Sequence, residues 1–458
     1  MGKRNTDNVR DDGVTGFILK GGATSMLVRV SGLLLGLLSH VMISRALGAE
    51  HYGLYGMALA WCLILVVPVK FGLDQTVLKY AAIYVAGGHQ LSLKSLIRYS
   101  AGFLSIAFVL VAGGLTVFFY HRPSLLPVST AADFGWLLLL LGALALLGVF
   151  SNYFRAIRKV FESQFYEQVF RSACLIILVA LCHYVLQRSL DLSAALMLTA
   201  LSAALAALFM LYRFKTAFID AAPARAVATA DEAAVSATRS EWFHFGRLTF
   251  FIAIAQQITS HSNIILVGWL AGSAQAGQYA VAVRLSSLLA FALVAIGAIS
   301  GPLVAVAYQR SDLAQLKKIA CVSARAASGF ALAGTALLVV LGDRIIALFG
   351  QGFDDAYSPM LILTAGTLVS AFTGIAGLYL TMTNRQGVAL KILLVSMCTN
   401  LVLALWLIPR FGAAGAAIAA AAALAVSRFA MVLFVRKRIG VDTTACGLAV
   451  KKIDQTGI

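Results

Sequence analysis

The fold is decided by the stretch LGAEHYGLY, residues 47–55, because its pattern returns downstream as LAGSAQAGQY, residues 270–279. Gly48, Gly53 and Tyr55 of the first copy all recur exactly 224 positions later. Each copy ends one long apolar segment and begins another, which predicts a helix–loop–helix turn that is used twice. We expect the two glycines to allow a tight chain reversal and the tyrosine to lie at a membrane–water interface.

The constant offset predicts a duplicated chain, because 224 residues is close to half of the 458 residues present. Many secondary transporters are built from such internal repeats of helices. The distribution of basic residues, given below, places both copies of the turn on the outer side, so the halves are predicted to be parallel repeats about an axis along the membrane normal.

Composition is that of a polytopic membrane protein. Hydrophobic residues make up 60% of the chain and charged residues 12%, and the mean hydropathy is +0.89. The six cysteines contain no C-x-x-C pair, so neither a disulfide framework nor a metal site is expected, and no cofactor is predicted. The polar residues 1–22 do not have the pattern of a signal peptide, and we expect the first apolar segment to be retained.

Apolar segments of membrane-spanning length predict about 12 transmembrane helices in two sixes, and hence an all-α fold. The predicted organisation has an N-terminal six-helix lobe (1–213), a cytoplasmic linker (214–243), a C-terminal six-helix lobe (244–436) and a cytoplasmic tail (437–458). The predicted spans are 24–44, 53–85, 97–120, 134–154, 166–187, 192–212, 245–268, 277–308, 319–341, 357–381, 388–408 and 412–435.

The placement of basic residues predicts the orientation. Lys and Arg accumulate in short cytoplasmic loops, and with the N-terminus inside, 25 of the 36 basic residues lie in cytoplasmic segments and five lie outside. Both termini are therefore predicted to be cytoplasmic. The net charge of +17 is explained by this bias and by contact with anionic lipid, so no nucleic-acid partner is expected.

Six basic residues fall within predicted spans, where a charge needs a partner, a water-filled cavity or an interface. Arg29 and Arg284 have no acidic neighbour on their own helix and are candidates for fixed positive charges in a cavity, although Arg29 can also reach the cytoplasmic interface. The same interfacial placement is the expectation for Arg325 and Arg428. Arg171 is expected to pair with Glu167 at i,i+4, and the sixth residue is Lys70.

Lys70 precedes Asp74 by four residues, in an overlong second span that Pro68 and Gly72 are expected to kink. A structural salt bridge and a functional pair both fit this spacing. Further polar residues lie in the first span of each lobe and predict helices that border water or other polar helices: His40, Gln256, Gln257, His261 and Asn263. For each histidine, a hydrogen-bonded packing role is the alternative.

Several classes of function are disfavoured by the sequence. No G-x-x-x-x-G-K motif is present, so ATP is not expected to drive the protein directly. A membrane glycosyltransferase or ligase would need catalytic carboxylates or a large outer loop, and neither is evident. We therefore do not expect an enzyme.

The chain resembles the polysaccharide-transporter, O-antigen-type flippase branch of the multidrug/oligosaccharidyl-lipid/polysaccharide exporter superfamily. The motifs that carry the resemblance cover most of the chain. They are Arg45-Ala46-Leu47-Gly48, Gly53-Leu54-Tyr55, Phe71-Gly72-Leu73-Asp74, Gly277-Gln278-Tyr279 with Arg284, Pro302, Leu348-Phe349-Gly350, and Ile408-Pro409-Arg410-Phe411-Gly412 with Gly415-Ala416-Ala417.

The resemblance implies a two-lobed bundle around a cavity that opens to each side of the bacterial cytoplasmic (inner) membrane in turn. It also implies a substrate, a polyprenyl-pyrophosphate-linked oligosaccharide, and polysaccharide polymerase and glycosyltransferase partners. Arg29 and Arg284 would then hold the diphosphate by charge-assisted hydrogen bonds. Two alternatives stay open: a cation-coupled multidrug exporter of the same superfamily, and a non-transporting scaffold of an envelope-synthesis complex. Coupling to protons or sodium is only an analogy with the family.

Overall fold

The computed structural model describes residues 4–122, 126–128, 130–185, 190–220, 239–310, 312–383 and 385–447, and every regular element in these ranges is a helix. Two π-helical segments, Phe165–Phe170 and Leu181–Val185, flank the helix Arg171–Ala180, and a short 3-10 turn, Asp354–Ala356, precedes the helix Tyr357–Phe372. The helices are α1 (Arg4–Lys70), α2 (Leu73–Gly87), α3 (Gln90–His121), α4 (Ala131–Ala156), α5 (Val160–Gln164), α6 (Arg171–Ala180), α7 (Leu192–Asp220), α8 (Arg239–Ala271), α9 (Ser273–Gln309), α10 (Leu313–Ala347), α11 (Tyr357–Phe372), α12 (Ala376–Met382) and α13 (Gln386–Ile439).

The number of membrane-length helices agrees with the sequence. Within the described residues nine helices are long and apolar enough to span a membrane, and the pair α11 and α12, bent by 50°, adds a tenth. Helices α1 and α13 are each interrupted by a glycine with non-helical backbone, Gly48 and Gly412, so each joins two spans. Counted on both sides of these breaks, the described helices agree with about 12 spans, and the all-α polytopic fold class is confirmed. The internal repeat itself stays a prediction.

The duplicated turn is built differently from the sequence prediction. The first glycine of each copy does break the helix, with φ of 71° at Gly48 and 98° at Gly272. The second glycine is helical and is needed for space: a Cβ on Gly53 would overlap the Ser273 carbonyl oxygen, and one on Gly277 would overlap that of Ala49. Glycine therefore has two separate roles in the motif, reversal at its start and close backbone contact with the other copy five residues later.

The two tyrosines of the turn were expected at a membrane–water interface, and in the structure their rings are enclosed by the protein. Tyr55 is 1% exposed and Tyr279 is 3% exposed, so both rings are inside the protein. Tyr279 accepts a hydrogen bond from the Asn263 side chain, with 3.3 Å between the amide nitrogen and the phenol oxygen. A buried tyrosine needs such a partner, and the surrounding helices supply it.

A second break separates α1 from α2, close to the kink predicted from Pro68 and Gly72. Phe71 and Gly72 have φ of 43° and 75°, a left-handed conformation that ends α1. The Phe71 ring packs against two rings of α8, with centroids 4.7 Å from Phe250 and 5.4 Å from Phe243. The predicted second span 53–85 is therefore two helices joined at Gly72.

By internal contacts the chain forms two compact units. Unit 1 consists of Met1–Ile43 and Cys62–Ile254, and unit 2 of Ser44–Trp61 and Ala255–Ile458. The division differs from the predicted lobes at two segments: residues 44–61, with the first turn copy, belong to unit 2, and the first part of α8 belongs to unit 1. Residues 221–238 of the predicted linker and 448–458 of the predicted tail lie outside the described residues.

The described beginning of the predicted tail packs within unit 2. The Ala445 backbone nitrogen donates to the Phe372 carbonyl at 2.9 Å, and the Thr443 hydroxyl donates to the Thr373 carbonyl at 3.1 Å. The Arg325 Nε also donates to the Ala445 carbonyl, at 3.2 Å. This segment is therefore fixed at the end of α11.

Candidate functional site

Arg29 lies half-buried on α1 in unit 1, one turn before a close helix contact. A Cβ added to Gly32 would come within 2.7 Å of the Gln168 side chain, and one added to Gly36 would lie 3.9 Å from the Ser172 hydroxyl. The two glycines thus let α1 approach the Phe165–Phe170 π-helical segment. As a result, the charge of Arg29 interacts with the charges of Arg155 and Glu167.

Arg155 and Glu167 form an ion pair that the sequence analysis did not predict. Their side chains approach to 3.1 Å between Nη2 and Oε2, and about a third of each is exposed, 33% and 35%. Arg171, the expected partner of Glu167, donates from Nε to the Glu167 backbone carbonyl at 3.2 Å. The segment that holds Glu167 is π-helical, and its wider turn changes the angle between positions i and i+4 that an α-helix would align.

The expected Lys70–Asp74 pair is present in unit 1, across the break at Gly72. The distance between Nζ and Oδ2 is 3.5 Å, and each side chain is about one-fifth exposed, 19% and 20%. Lys70 also lies beside α4, since a Cβ on Gly148 would be 3.2 Å from its Nζ. His40, on α1 in the same unit, is buried at 8% exposure and has interactions of its own.

Arg284 lies half-buried on α9 in unit 2. Its guanidinium hydrogen-bonds to the hydroxyl of Tyr52, a residue of the first turn copy that is 1% exposed. The ion pairs formed within the described residues involve other cations, and Arg284 has no carboxylate within 4.0 Å there. His261 of α8 lies within electrostatic range of Arg284 in the same unit. The Arg284 charge is thus oriented by a phenol without being neutralised by it.

The other predicted polar residues of α8 have different environments. Gln256 is exposed and Gln257 is half-buried, whereas Asn263 is 1% exposed. Asn263 and Asn400 exchange two amide hydrogen bonds of 3.1 Å, and the Asn263 amide nitrogen also lies 3.3 Å from the Tyr279 hydroxyl. Asn263 therefore joins α8, α9 and α13 inside unit 2. Binding roles for the predicted residues remain predictions.

Arg428 of α13 is less exposed to solvent than the sequence suggested. Its Nε atom is buried and has no hydrogen-bond partner in the described part of the chain, and an added Cβ on Gly377 would lie 3.8 Å from its Nη1. The expectation that this side chain reaches the interface rested on its position near a helix end. Sequence position does not reveal the packing of α12 over it.

The comparisons with known proteins identify the family. A family model described as "Polysaccharide biosynthesis protein" matches residues 18–305, more than half of the chain. The chain belongs to this polysaccharide biosynthesis protein family. The match confirms the resemblance to the polysaccharide-flippase branch of the superfamily.

Two curated relatives come from Haloferax volcanii. "Probable flippase AglR" is 27% identical over 194 residues, and "Probable low-salt glycan biosynthesis flippase Agl15" is 23% identical over 186 residues. The aligned region is 40% of this chain in both cases, and 40% and 39% of the relatives, so the chain matches only about two-fifths of their length.

Solved structures share the fold of this family member. A multidrug resistance MATE family transporter, described as an inward-facing conformation, superimposes with a TM-score of 0.69 at 15% identity, covering 91% of this chain and 98% of that one. The lipid II flippase MurJ, in an inward closed conformation, gives a TM-score of 0.65 at 12% identity, covering 90% and 87%. At these identities the likeness concerns the fold alone.

Proposed function

We propose that the protein is a flippase that moves a polyprenyl-pyrophosphate-linked oligosaccharide across the cytoplasmic membrane for surface polysaccharide synthesis. The observation that carries the proposal is the state of Arg284. It is a half-buried guanidinium on a membrane-length helix, with no carboxylate within 4.0 Å among the described residues. A charge within a membrane-spanning helix is energetically costly, and such residues usually mark substrate or ion pathways. Binding of an anion would offset part of this cost.

The chemistry of guanidinium favours a phosphate-bearing substrate. Its planar array of donors binds phosphate oxygens in pairs, and charge-assisted hydrogen bonds of this kind are among the strongest in proteins. The Tyr52 hydroxyl fixes one side of the Arg284 group and leaves the remaining donors for a ligand. We assign Arg284 of unit 2 and Arg29 of unit 1 each a contact with the anionic headgroup during translocation.

The family and the names of the relatives support a glycan as the rest of the substrate. The family description is polysaccharide biosynthesis, and both curated relatives are described as probable flippases. A sugar headgroup cannot cross hydrocarbon unaided, whereas its lipid tail can stay in the bilayer. The proposal includes transport by alternating access, cytoplasmic termini, an inner-membrane location, and a polymerase and glycosyltransferases as partners.

Reconstitution in proteoliposomes tests the proposal. A fluorescent polyprenyl-diphosphate-linked sugar is added on one side, and its appearance on the other is measured with an impermeant quencher. Arg29→Ala and Arg284→Ala should each lower the translocation rate at least about tenfold, since one charge-assisted contact is worth roughly 1.5–3 kcal/mol. Arg410→Ala is the matched control, because Arg410 is an exposed cation that lies over the Trp406 ring at 4.5 Å.

The rate in the Arg410→Ala control should stay within about twofold of the parent rate, as expected for removal of a surface cation. Full translocation by both Arg29→Ala and Arg284→Ala would overturn the proposal. Movement of a cationic dye without movement of the lipid-linked sugar would point instead to drug export.

A further inference from the structure

The Arg155–Glu167 pair in unit 1 lies beside Arg29 and has no place yet in the proposed function. Arg155 is at the end of α4, and Glu167 is in the π-helical segment that α1 approaches through Gly32. The two side chains are 3.1 Å apart and about a third exposed. The pair is therefore neither sealed in the protein core nor fully exposed.

The other partners of Arg155 are neutral. Its Nε donates to the Ser163 hydroxyl at 3.0 Å, and its Nη1 lies 3.5 Å from the Asn152 side-chain oxygen. These contacts hold one edge of the guanidinium in place without cancelling its charge. Within the described residues, Glu167 is the carboxylate that pairs with Arg155.

Glu167 is held at the same point from its other side. The Ser151 hydroxyl donates to the Glu167 Oε2 at 2.8 Å, the atom that Arg155 also contacts. Ser151 and Ser163 are themselves 2.7 Å apart, so the two serines connect the acid to the base. Without its carboxylate charge, residue 167 would leave the Arg155 guanidinium oriented and unneutralised.

Positive charge exceeds negative charge at this location. The Arg29 charge interacts with both Arg155 and Glu167, and the Arg171 Nε lies 3.2 Å from the Glu167 backbone carbonyl, so several guanidinium groups surround one carboxylate. Nearby Lys70 does not alter this balance, because it has its own carboxylate in Asp74. A second anion is therefore attracted to the Arg29–Arg155 pair.

We infer that Arg155 is a further headgroup-binding residue and that Glu167 is a built-in competitor, which occupies the Arg155 guanidinium until a diphosphate takes its place. This inference rests on the proposed function and extends it to the chemical class of ligand at one site in unit 1. The diphosphate carries more charge than a carboxylate and can bind both guanidinium groups at once. The same exchange in reverse releases the ligand, because the Glu167 carboxylate then pairs with Arg155 again.

Neutralising each member of the pair distinguishes this role from a purely structural one. The probe is farnesyl diphosphate, and its equilibrium binding is measured to the full chain in nanodiscs of uncharged lipid, with farnesol as the neutral control. Glu167→Gln keeps a side chain of the same size and should tighten binding by about tenfold, the effect of removing one competing interaction of ~1.4 kcal/mol. Arg155→Gln should weaken binding by about tenfold or more.

A neighbouring ion pair in the same unit supplies the matched control. Glu162 lies in α5, just before the π-helical segment that holds Glu167. Its carboxylate is 3.9 Å from the Arg213 Nη2 and 3.7 Å from the Lys159 Nζ. Glu162→Gln makes the same charge change as Glu167→Gln, and Arg213→Gln makes the same change as Arg155→Gln. Both control variants should leave the affinity for farnesyl diphosphate within about twofold.

Weaker or unchanged binding in Glu167→Gln would overturn the competitor role, and unchanged binding in Arg155→Gln would overturn the binding role. If Arg29→Ala and Arg284→Ala lower affinity while the Arg155 and Glu167 variants do not, the proposed function stands and the inference fails. If the parent protein does not distinguish farnesyl diphosphate from farnesol, both fail together.

Discussion

The amide pair Asn263–Asn400 offers a sharp stability test, because each side chain is the other's partner in both directions. The two hydrogen bonds are 3.1 Å long, and the residues are 1% and 0% exposed. Asn263→Ala leaves the donor and the acceptor of Asn400 buried without their partner. At about 1–3 kcal/mol for each of these two unpaired buried groups, the expected loss of unfolding free energy is roughly 2–6 kcal/mol.

Asn400→Ala should cost less. The Asn263 amide nitrogen keeps the Tyr279 hydroxyl at 3.3 Å and the Ala416 carbonyl at 3.4 Å, so only its oxygen is orphaned. The expected loss is about 1–3 kcal/mol. The double variant removes all three unpaired groups, so its loss should fall short of the sum of the single losses by at least roughly 1–3 kcal/mol.

Unfolding in mixed detergent–SDS micelles, followed by tryptophan fluorescence, measures the three free energies. Losses that add to within about 0.5 kcal/mol would refute the reasoning, because they would mean that the two amides do not depend on each other. The ranking of the two single variants is a separate check, since it depends on the contacts to Tyr279 and Ala416.

Two further predictions concern the break after α1 and the tyrosine that contacts Arg284. Gly72→Ala should lower the free energy of unfolding by at least about 2 kcal/mol, because the residue has φ of 75° and its Cβ would overlap the Gly246 carbonyl oxygen. Gly102→Ala is the control, since it is helical with open space and should stabilise by up to ~1 kcal/mol; equal thermal midpoints for the two variants would contradict the prediction. Tyr52→Phe removes the hydroxyl that orients Arg284 and should lower the translocation rate about tenfold with normal protein levels. Tyr120→Phe, at a ring 85% exposed, should have no effect, and an equal loss there would exclude a specific role of Tyr52.

The sequence predicted features that depend on local patterns. Apolar runs of membrane length gave the spans, and matched glycines located the breaks at Gly48 and Gly272. Pro68 with Gly72 likewise marked the break after α1. These signals are visible because hydropathy and backbone conformation are set mainly by a residue and its near neighbours.

Contacts between distant residues were not predictable in the same way. Gly53 serves close packing against Ser273, more than two hundred positions away, and no local pattern separates this role from a turn. Glu167 was assigned to Arg171 from i,i+4 spacing, and Arg171 does contact its backbone carbonyl, but the spacing gave no sign that the Glu167 carboxylate would reach Arg155, twelve residues earlier. The Arg155–Glu167 pair also depends on how α4 packs against the π-helical segment that holds Glu167.

Arg29 and Arg284 were singled out because a charged residue within an apolar run is rare. The groups that surround these two residues could not be predicted from the sequence. The Tyr52 partner of Arg284 comes from the first turn copy, and Arg155, whose charge interacts with that of Arg29, comes from the end of α4. The sequence therefore proposed two of the charged residues as site candidates but did not show which groups surround them.

The central claim is that fixed guanidinium groups select an anionic headgroup, and the most direct test compares two lipids in one proteoliposome assay. Both have the same polyprenyl tail and the same sugar, joined by a diphosphate in one and by an uncharged ether in the other. The parent protein should translocate the diphosphate lipid at least about tenfold faster, and Arg284→Ala should abolish this preference. Equal rates for the two lipids in the parent protein would contradict the claim.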